Sequence, residues 1–520
     1  MSVAIKSAID DAVIEELRAI FGHDDGRVLT NLSSRVNRTR VPAPFPVHRW
    51  ADHMPDLAVL PRTAQEVSEV VKLANRRGIP VVPRAGGTGL SDGAVPLRGG
   101  ILVDCKLMNE IHEVDLVDRT VTVGPGINML KLNEELRPHG VFYPDDPASY
   151  PCSLVGGRIG TGGWSLLGAR FGHTRDLVIS MEVVLPTGEI VEIGEGGGRK
   201  LRKSSTGLTL KQLFTGHQGT LGITTQATLE LVPRPEVEFA AFFHYPSFQA
   251  AYESTGALTK SGLATLAGVV LFDEWKLRYL RRDDEAYIPQ AENVRAVVAT
   301  AMYGTRDEVK PAARRLVRTA RESGGTYLGD EVSQGDWAAR HDRYATPLHG
   351  RLRTTGQVVP MSWHCEDAAI NYSALPQVME EWHAIADRII DRYGIFDDWG
   401  MFFYTNAAHK PWGDYLVEID IGIWEQKLDD VNWAGWVEAK HDIAAVALKY
   451  GGSITACHGA TREGDAELAA EEMGGGFEVM KAIKRVLDPN NIMNPGKYEL
   501  DTAYDPNAPS PFSGRRTGGN

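Results

Sequence analysis

Apolar residues recur along this chain with a helical period in some stretches and as short continuous runs in others. Between Met1 and Phe21, Ile5, Ile9, Val13, Leu17 and Ile20 fall on one face among acidic and polar neighbours, which predicts a surface helix with a single buried stripe. From about residue 55 short apolar runs alternate with helical stretches, as in an α/β or α+β domain. Thr63 and Glu66 form a capping box, and Val67, Val70, Val71 and Ala74 share one face of a helix that Gly78 ends. Strands are predicted at Ile79–Val82, Ile101–Cys105, Ile111–Val114 and Val121–Val123, the last two joined by an Asp-Arg-Thr turn.

Glycine then dominates two segments, Gly156–Gly172 and Gly216–Gly222, before Val232-Pro-Arg-Pro-Glu236 breaks the pattern and places a boundary near residue 234. Beyond it, to about residue 450, the glycine loops stop and Trp and Tyr accumulate. Helices are predicted near 307–322 and 376–393, with extended runs near 267–271 and 415–423. This reads as a separate substrate domain. Phe477, Met480, Ile483 and Leu487 predict a last amphipathic helix stopped at Asp488-Pro489, and the tail after Tyr504 has the composition of a disordered segment.

Composition narrows the function. The 520 residues are 43% hydrophobic and 24% charged, enough for two or three ordinary cores. The formal charge of −13 disfavours a polyanion, so no nucleic-acid partner is expected. The four cysteines, Cys105, Cys152, Cys365 and Cys457, form no CxxC pair, which fits a reducing cytoplasm better than a disulfide framework or a zinc ribbon. The first residues lack the basic start and apolar block of a signal peptide, and no apolar run approaches the ~18 residues of a membrane span.

The glycine-rich segments carry the chemistry. Pro83-Arg84-Ala85-Gly86-Gly87-Thr88-Gly89-Leu90-Ser91 lies between two predicted strands and offers successive backbone N–H groups with little side chain in the way, as a diphosphate requires. No GK[ST] follows, and a strand rather than a helix comes next, so it is neither a Walker nor a Rossmann loop. The second loop has Gly156, Gly157, Gly160, Gly162 and Gly163, and the third Gly216, Gly219 and Gly222. Three such loops around one domain suit a long dinucleotide.

The order PRAGGTGLSDGAVP, GPGI, VGGRIGTGG, TRDLVISMEVVLPTGEIVEIG, LFTGHQGTLGITTQATLELVPRP and LDPNNIMNPGK resembles the vanillyl-alcohol oxidase/p-cresol methylhydroxylase superfamily of FAD enzymes. Its loops are most similar to the D-lactate dehydrogenase and glycolate oxidase large-subunit branch. The resemblance implies an α+β fold, in which a two-subdomain FAD-binding domain of p-cresol methylhydroxylase type carries an α+β cap. It also implies a division into a helical extension at 1–54, the FAD-binding domain at 55–234, the cap at 235–450, a segment at 451–504 that returns to the FAD site, and a flexible tail at 505–520.

Carried over by position, the resemblance assigns the pyrophosphate to Arg84, Ala85, Gly86, Gly87, Thr88 and Gly89, with Leu90 and Ser91 closing that loop. Pro147, Ser149, Gly157, Gly160, Thr161 and Gly163 run along the flavin and ribityl chain. Gly219, Gly222 and Ile223 meet the adenosine half, and Asn494 lies near the ring. Thr88 stands where some members attach FAD through a His, so non-covalent FAD is expected.

Oxidation of a C–OH carbon passes hydride to flavin N5 while a base manages the hydroxyl proton, a task suited to His. His458, in Gly451-Gly-Ser-Ile-Thr-Ala-Cys457-His458-Gly459, matches the branch's Glu-His-Gly and is the first catalytic candidate, with Cys457 at the Glu position. That Glu and two His hold a metal in many members. The corresponding stretch from Tyr404 to Tyr415 keeps one His, His409, which remains a candidate, so no metal is expected. Arg340 and Arg343, three apart on a predicted helix, are candidates to hold a substrate carboxylate.

Trp363, Trp399, Phe402, Phe403, Tyr404, Trp412 and Tyr415 favour an aromatic alcohol instead, with Tyr404 as its partner. The reading is thus an FAD-dependent dehydrogenase of a 2-hydroxy acid. Its alternatives are an aromatic-alcohol oxidase and a non-redox transferase like alkyldihydroxyacetonephosphate synthase, whose ending is similar. Oxygen, a quinone or a cytochrome would accept the electrons, and a homodimer is the default assembly.

Overall fold

The computed structural model describes residues 9–39, 53–274, 276–277, 293–341, 349–351, 358–393, 399–404, 415–424, 430–460 and 465–500; for 349–351, 358–366, 399–404 and 415–424 the backbone alone is described. Its described residues are mixed helix and sheet. In the first sheet Leu57–Val59, Ile101–Asp104 and Val81–Arg84 lie parallel in that order. The helix Ala64–Arg77 makes the crossover; Thr63 caps its first turn and Gly78, at φ +63°, ends it. Val67, Val70, Val71 and Ala74 are fully buried against the sheet, as their spacing predicts.

The N-terminal extension belongs to this layer. Val28–Leu29 adds an antiparallel edge strand, and Val13 and Leu17 of the helix Asp11–Ile20 enter the same core. At the opposite edge Val81 donates to the Ile492 carbonyl at 2.7 Å and Asn494 donates to the Val81 carbonyl at 2.8 Å. The last helix, Gly475–Leu487, thus delivers the chain's end beside the first glycine loop.

A second, antiparallel sheet runs Ile111–Asp115, Thr120–Val123, Ile223–Glu230, Val178–Val184 and Ile190–Gly194. Between its strands the structure corrects one expectation. The second glycine segment is a helix, Val155–Thr161, closed by Gly162 at φ +67°. Three glycines inside one short helix oppose its formation by roughly 1 kcal/mol each relative to Ala, which is why the sequence reads as a loop there.

The region after Val232–Pro233 builds an antiparallel eight-stranded sheet, ordered Thr326–Tyr327, Val237–Tyr245, Ala296–Gly304, Leu266–Asp273, Trp399–Tyr404, Tyr415–Trp424, Val358–Ile370 and His349–Arg351. Alternation along Val237–Tyr245 sends Ala241, Phe243 and Tyr245 toward the helices Arg306–Glu322, Leu375–Tyr393 and Asp430–Lys449. Ala240 and Phe242 face the other way, packing with Trp164, Leu166 and Leu167 of the FAD-binding region. Burial on both faces accounts for the extended run read near 267–271, within the strand Leu266–Asp273. No described helix is long and apolar enough to cross a membrane.

Candidate active site

The three glycine-rich segments converge because side chains are missing where they cross. A Cβ on Gly86 would come 3.1 Å from the Cys152 carbonyl, and one on Gly162 would come 3.0 Å from Gly216 Cα. A Cβ on Gly219 would strike Pro83. Ser149 and Ser153 hydroxyls bond at 2.6 Å, and Thr88 lies 3.5 Å from Ser153, so the first and second segments share a hydroxyl chain.

Other glycines have no such internal reason. Gly89 and Gly160 have ordinary backbone angles, and a Cβ on either would meet nothing within 4 Å; one on Gly157 would make only a 3.6 Å contact with Ala85. These positions border open space on the side a guest would occupy. Beside them, buried Asn494 donates through Nδ2 to the carbonyls of Gly93 at 2.7 Å and Gln218 at 2.6 Å, while its Oδ1 finds no partner among the described residues. A bare backbone cradle with a stranded acceptor fits a polar, diphosphate-bearing cofactor such as FAD.

Several residues expected at the cofactor also have a part in the frame. Arg84 is the last residue of its strand; its guanidinium folds beneath Gly87 and donates to the Arg38 carbonyl at 3.3 Å. Gly163 is needed because Arg158 lies where its Cβ would be, and Gly222 because Val183 and Val184 do. The Ile223 side chain is in the first core. Pro147 is buried, and Thr161 is half-buried at the end of the glycine helix.

His458 sits directly on this cradle. Its carbonyl accepts from Ser91 Oγ of the first loop and, at 3.0 Å, from Gln218 Nε2 of the third. Its ring is held from the eight-stranded sheet: Nδ1 lies 2.7 Å from Asp367 Oδ1. Asp367 comes from the strand Val358–Ile370, and a bridge between Ala369 and Ser453 lays the 453–459 loop beside that strand. Its buried carboxylate also accepts from Thr455 Oγ1 at 3.1 Å, from Cys457 N at 2.6 Å and from Ala456 N. Burial alone would raise the Asp367 pKa; the neighbouring His458 and the two amides outweigh it and hold the carboxyl at about 2.

An ionised carboxylate can only accept, so His458 Nδ1 carries a proton toward Asp367, and Nε2 is the ring nitrogen left to exchange one. Nε2 lies 3.4 Å from Cys457 Sγ. Donor atoms of Asp367, Cys457 and His458 fall within 4.8 Å of one another, close enough for a metal, although Asp367 is already engaged by these hydrogen bonds. A small cavity beside the ring is lined by Asp367, Thr455, His458 and the buried Lys440–Asp465 ion pair.

Arg340 follows the helix Asp330–Ala338 after Ala339 and is itself helical; its Nε donates to Asp146 Oδ2 at 2.9 Å and its Nη1 to the Trp337 carbonyl at 2.9 Å. His341 Nε2 takes the other Asp146 oxygen at 2.6 Å. Burial opposes ionisation of Asp146, but Arg340 and His341 prevail and hold it at about 2. Arg340 is therefore already paired with a carboxylate of the protein. Arg343 and His409 lie outside the described residues, as does Trp412, and Tyr404 is described only through the backbone of its strand. The sequence offers Asp367 only within His364-Cys365-Glu366-Asp367, a run more typical of a solvated turn than of a metal site, and nothing there pairs it with His458.

Comparison with known proteins places this geometry in context. Residues 55–194 match the model of an FAD-binding domain, and 234–498 match that of the C-terminal domain of FAD-linked oxidases. The chain is 30% identical over 449 residues to glycolate oxidase subunit GlcD of Bacillus subtilis (strain 168), covering 85% of this chain and 89% of that one. It is 29% identical over 503 residues to a probable mitochondrial D-lactate dehydrogenase of Danio rerio, covering 95% and 92%. Among solved structures, p-cresol methylhydroxylase with bound substrate superposes with a TM-score of 0.73 at 20% identity, covering 94% of this chain and 97% of that one.

Proposed function

Because the chain belongs to the family of FAD-linked oxidases, we propose that it dehydrogenates the C–OH carbon of a 2-hydroxy acid, with His458 receiving the hydroxyl proton. FAD is its cofactor, held by the 85–91 loop, the glycine helix and Asn494, and when bound it supplies the two-electron acceptor. The names of the relatives, which act on glycolate and D-lactate, support the substrate class.

The observation that carries the reading is the double hold on His458. The cradle grips its backbone through Ser91 and Gln218, and Asp367 fixes its ring so that Nε2 is the proton acceptor. Positioning a base at the cofactor loops is what removal of a hydroxyl proton requires. Asp367 then stabilises the imidazolium that forms. Arg340 acts as a positioning residue: its ion pair with Asp146 fastens the cap to the segment that precedes the glycine helix.

Anaerobic mixing of the holoenzyme with D-2-hydroxy acids and, separately, aromatic alcohols tests the reading through the flavin absorbance. Bleaching by a hydroxy acid, slowed by roughly 10²-fold or more in His458→Ala, is the expected result. Bleaching by aromatic alcohols alone would overturn the substrate class, and an unchanged rate in His458→Ala would remove the histidine from the chemistry.

A further inference from the structure

Asp367, His458 and Cys457 form a line of three. Asp367 Oδ1 is 2.7 Å from one ring nitrogen, and Cys457 Sγ is 3.4 Å from the other. With Nδ1 protonated toward the carboxylate, Nε2 is left to accept the S–H proton. This is the nucleophile–base–orienter arrangement in which the base takes the thiol proton as the sulfur attacks, so Nε2 serves either the thiol or a substrate hydroxyl at any one time. Cys457 lies among Trp164, Leu166 and Trp337, where the cap packs on the FAD-binding region. Arg158, from the glycine helix, is near enough to interact electrostatically with its sulfur and adds positive potential.

The other described cysteines lack this setting. Cys105 is buried and its thiol is pushed up to about 12, and Cys152 is exposed with a thiol raised by partial burial and no imidazole bonded to it.

We propose that Cys457 is an activated nucleophilic thiol whose ligand is a reactive carbonyl compound, an aldehyde or 2-oxo acid. In the step, Nε2 takes the thiol proton and the sulfur lone pair forms a C–S bond to the carbonyl carbon. The C=O π pair moves onto oxygen, which takes the proton back from Nε2–H. The product is a hemithioacetal or hemithioketal, formed reversibly with no oxidant or reductant. The choice of carbonyl rests on the dehydrogenation reading, whose products are of this class; the activation of the thiol does not.

Carbamidomethylation of the holoenzyme by iodoacetamide, mapped by peptide mass spectrometry, tests it. At pH 7 Cys457 should react at least ~10-fold faster than the more exposed Cys152, because an ordinary thiol is only a few per cent ionised there. Glyoxylate should protect Cys457 and leave Cys152 unprotected, and Asp367→Asn should remove the rate advantage; His458→Gln serves the same purpose if the first variant does not fold. Labelling of Cys152 ahead of Cys457 in the wild type overturns the proposal, and so does rapid labelling that glyoxylate does not slow. Since alkylation needs no flavin reduction, failure here and failure of the dehydrogenase reading are separate results.

Discussion

A histidine serves as a base only if the nitrogen facing its substrate is the unprotonated one, and in the proposed function Asp367 makes that choice for His458. The Asp367 carboxyl, held near 2 against its burial by His458 and the loop amides, is ionised throughout the neutral range. Asn at this position keeps the size but can donate to Nδ1 through its amide, which moves the ring proton to Nε2 and blocks proton uptake. Asp367→Asn should therefore slow anaerobic flavin reduction by roughly 10²–10⁴-fold while the bound FAD absorbance stays near that of the parent. Equal losses of FAD and of rate would point to a structural role alone. His458 was singled out by the resemblance of its segment to the branch's Glu-His-Gly, whereas nothing in the sequence pairs it with Asp367. The two meet only because a strand pairs with a loop about 90 residues further along, and no local pattern encodes that pairing.

At the scale of elements, the glycine helix Val155–Thr161 sets local stability against cofactor binding. Its Gly156 is required, since a Cβ there would lie 2.6 Å from Pro125, but Gly160 borders open space. Gly160→Ala should stabilise the apoprotein by up to about 1 kcal/mol through helix propensity and weaken FAD binding, because the added methyl projects into the cradle. Melting curves of the apoprotein and the ratio of flavin to protein absorbance after purification check both halves. A higher melting temperature with full FAD occupancy would place the cofactor away from this helix. The strand Leu266–Asp273 was legible in the sequence because both its faces are buried and its apolar run is long. The glycine helix was not, because its conformation follows from contacts with Pro125 and with the Gly216 loop and opposes its own propensities.

At the scale of the whole molecule, buried charges tie the chain's end to its glycine loops. Lys484 donates to Asp488 at 2.6 Å and to the carbonyls of Thr220 at 2.9 Å and Met493 at 2.7 Å, so the last helix, the third loop and the returning strand share one ammonium. His217 lies in that third loop, fully enclosed, with Nδ1 accepting from Leu221 N at 3.3 Å. Burial, with Lys484 adding to it, pushes its pKa down to about 4. The unfolded chain protonates this histidine below about pH 6.5 while the folded chain does not. Its contribution to stability is therefore complete above that pH and is lost as the pH falls toward 4, a decline of about 3 kcal/mol at most. His217→Gln keeps an acceptor for Leu221 N and removes the titration. Urea denaturation at pH steps from 7 to 4 should show a shallower loss of stability in the variant, the difference opening only below pH 6.5. A variant that declines as steeply as its parent would mean that acid acts elsewhere, and that the third loop tolerates a charged His217 beside Lys484.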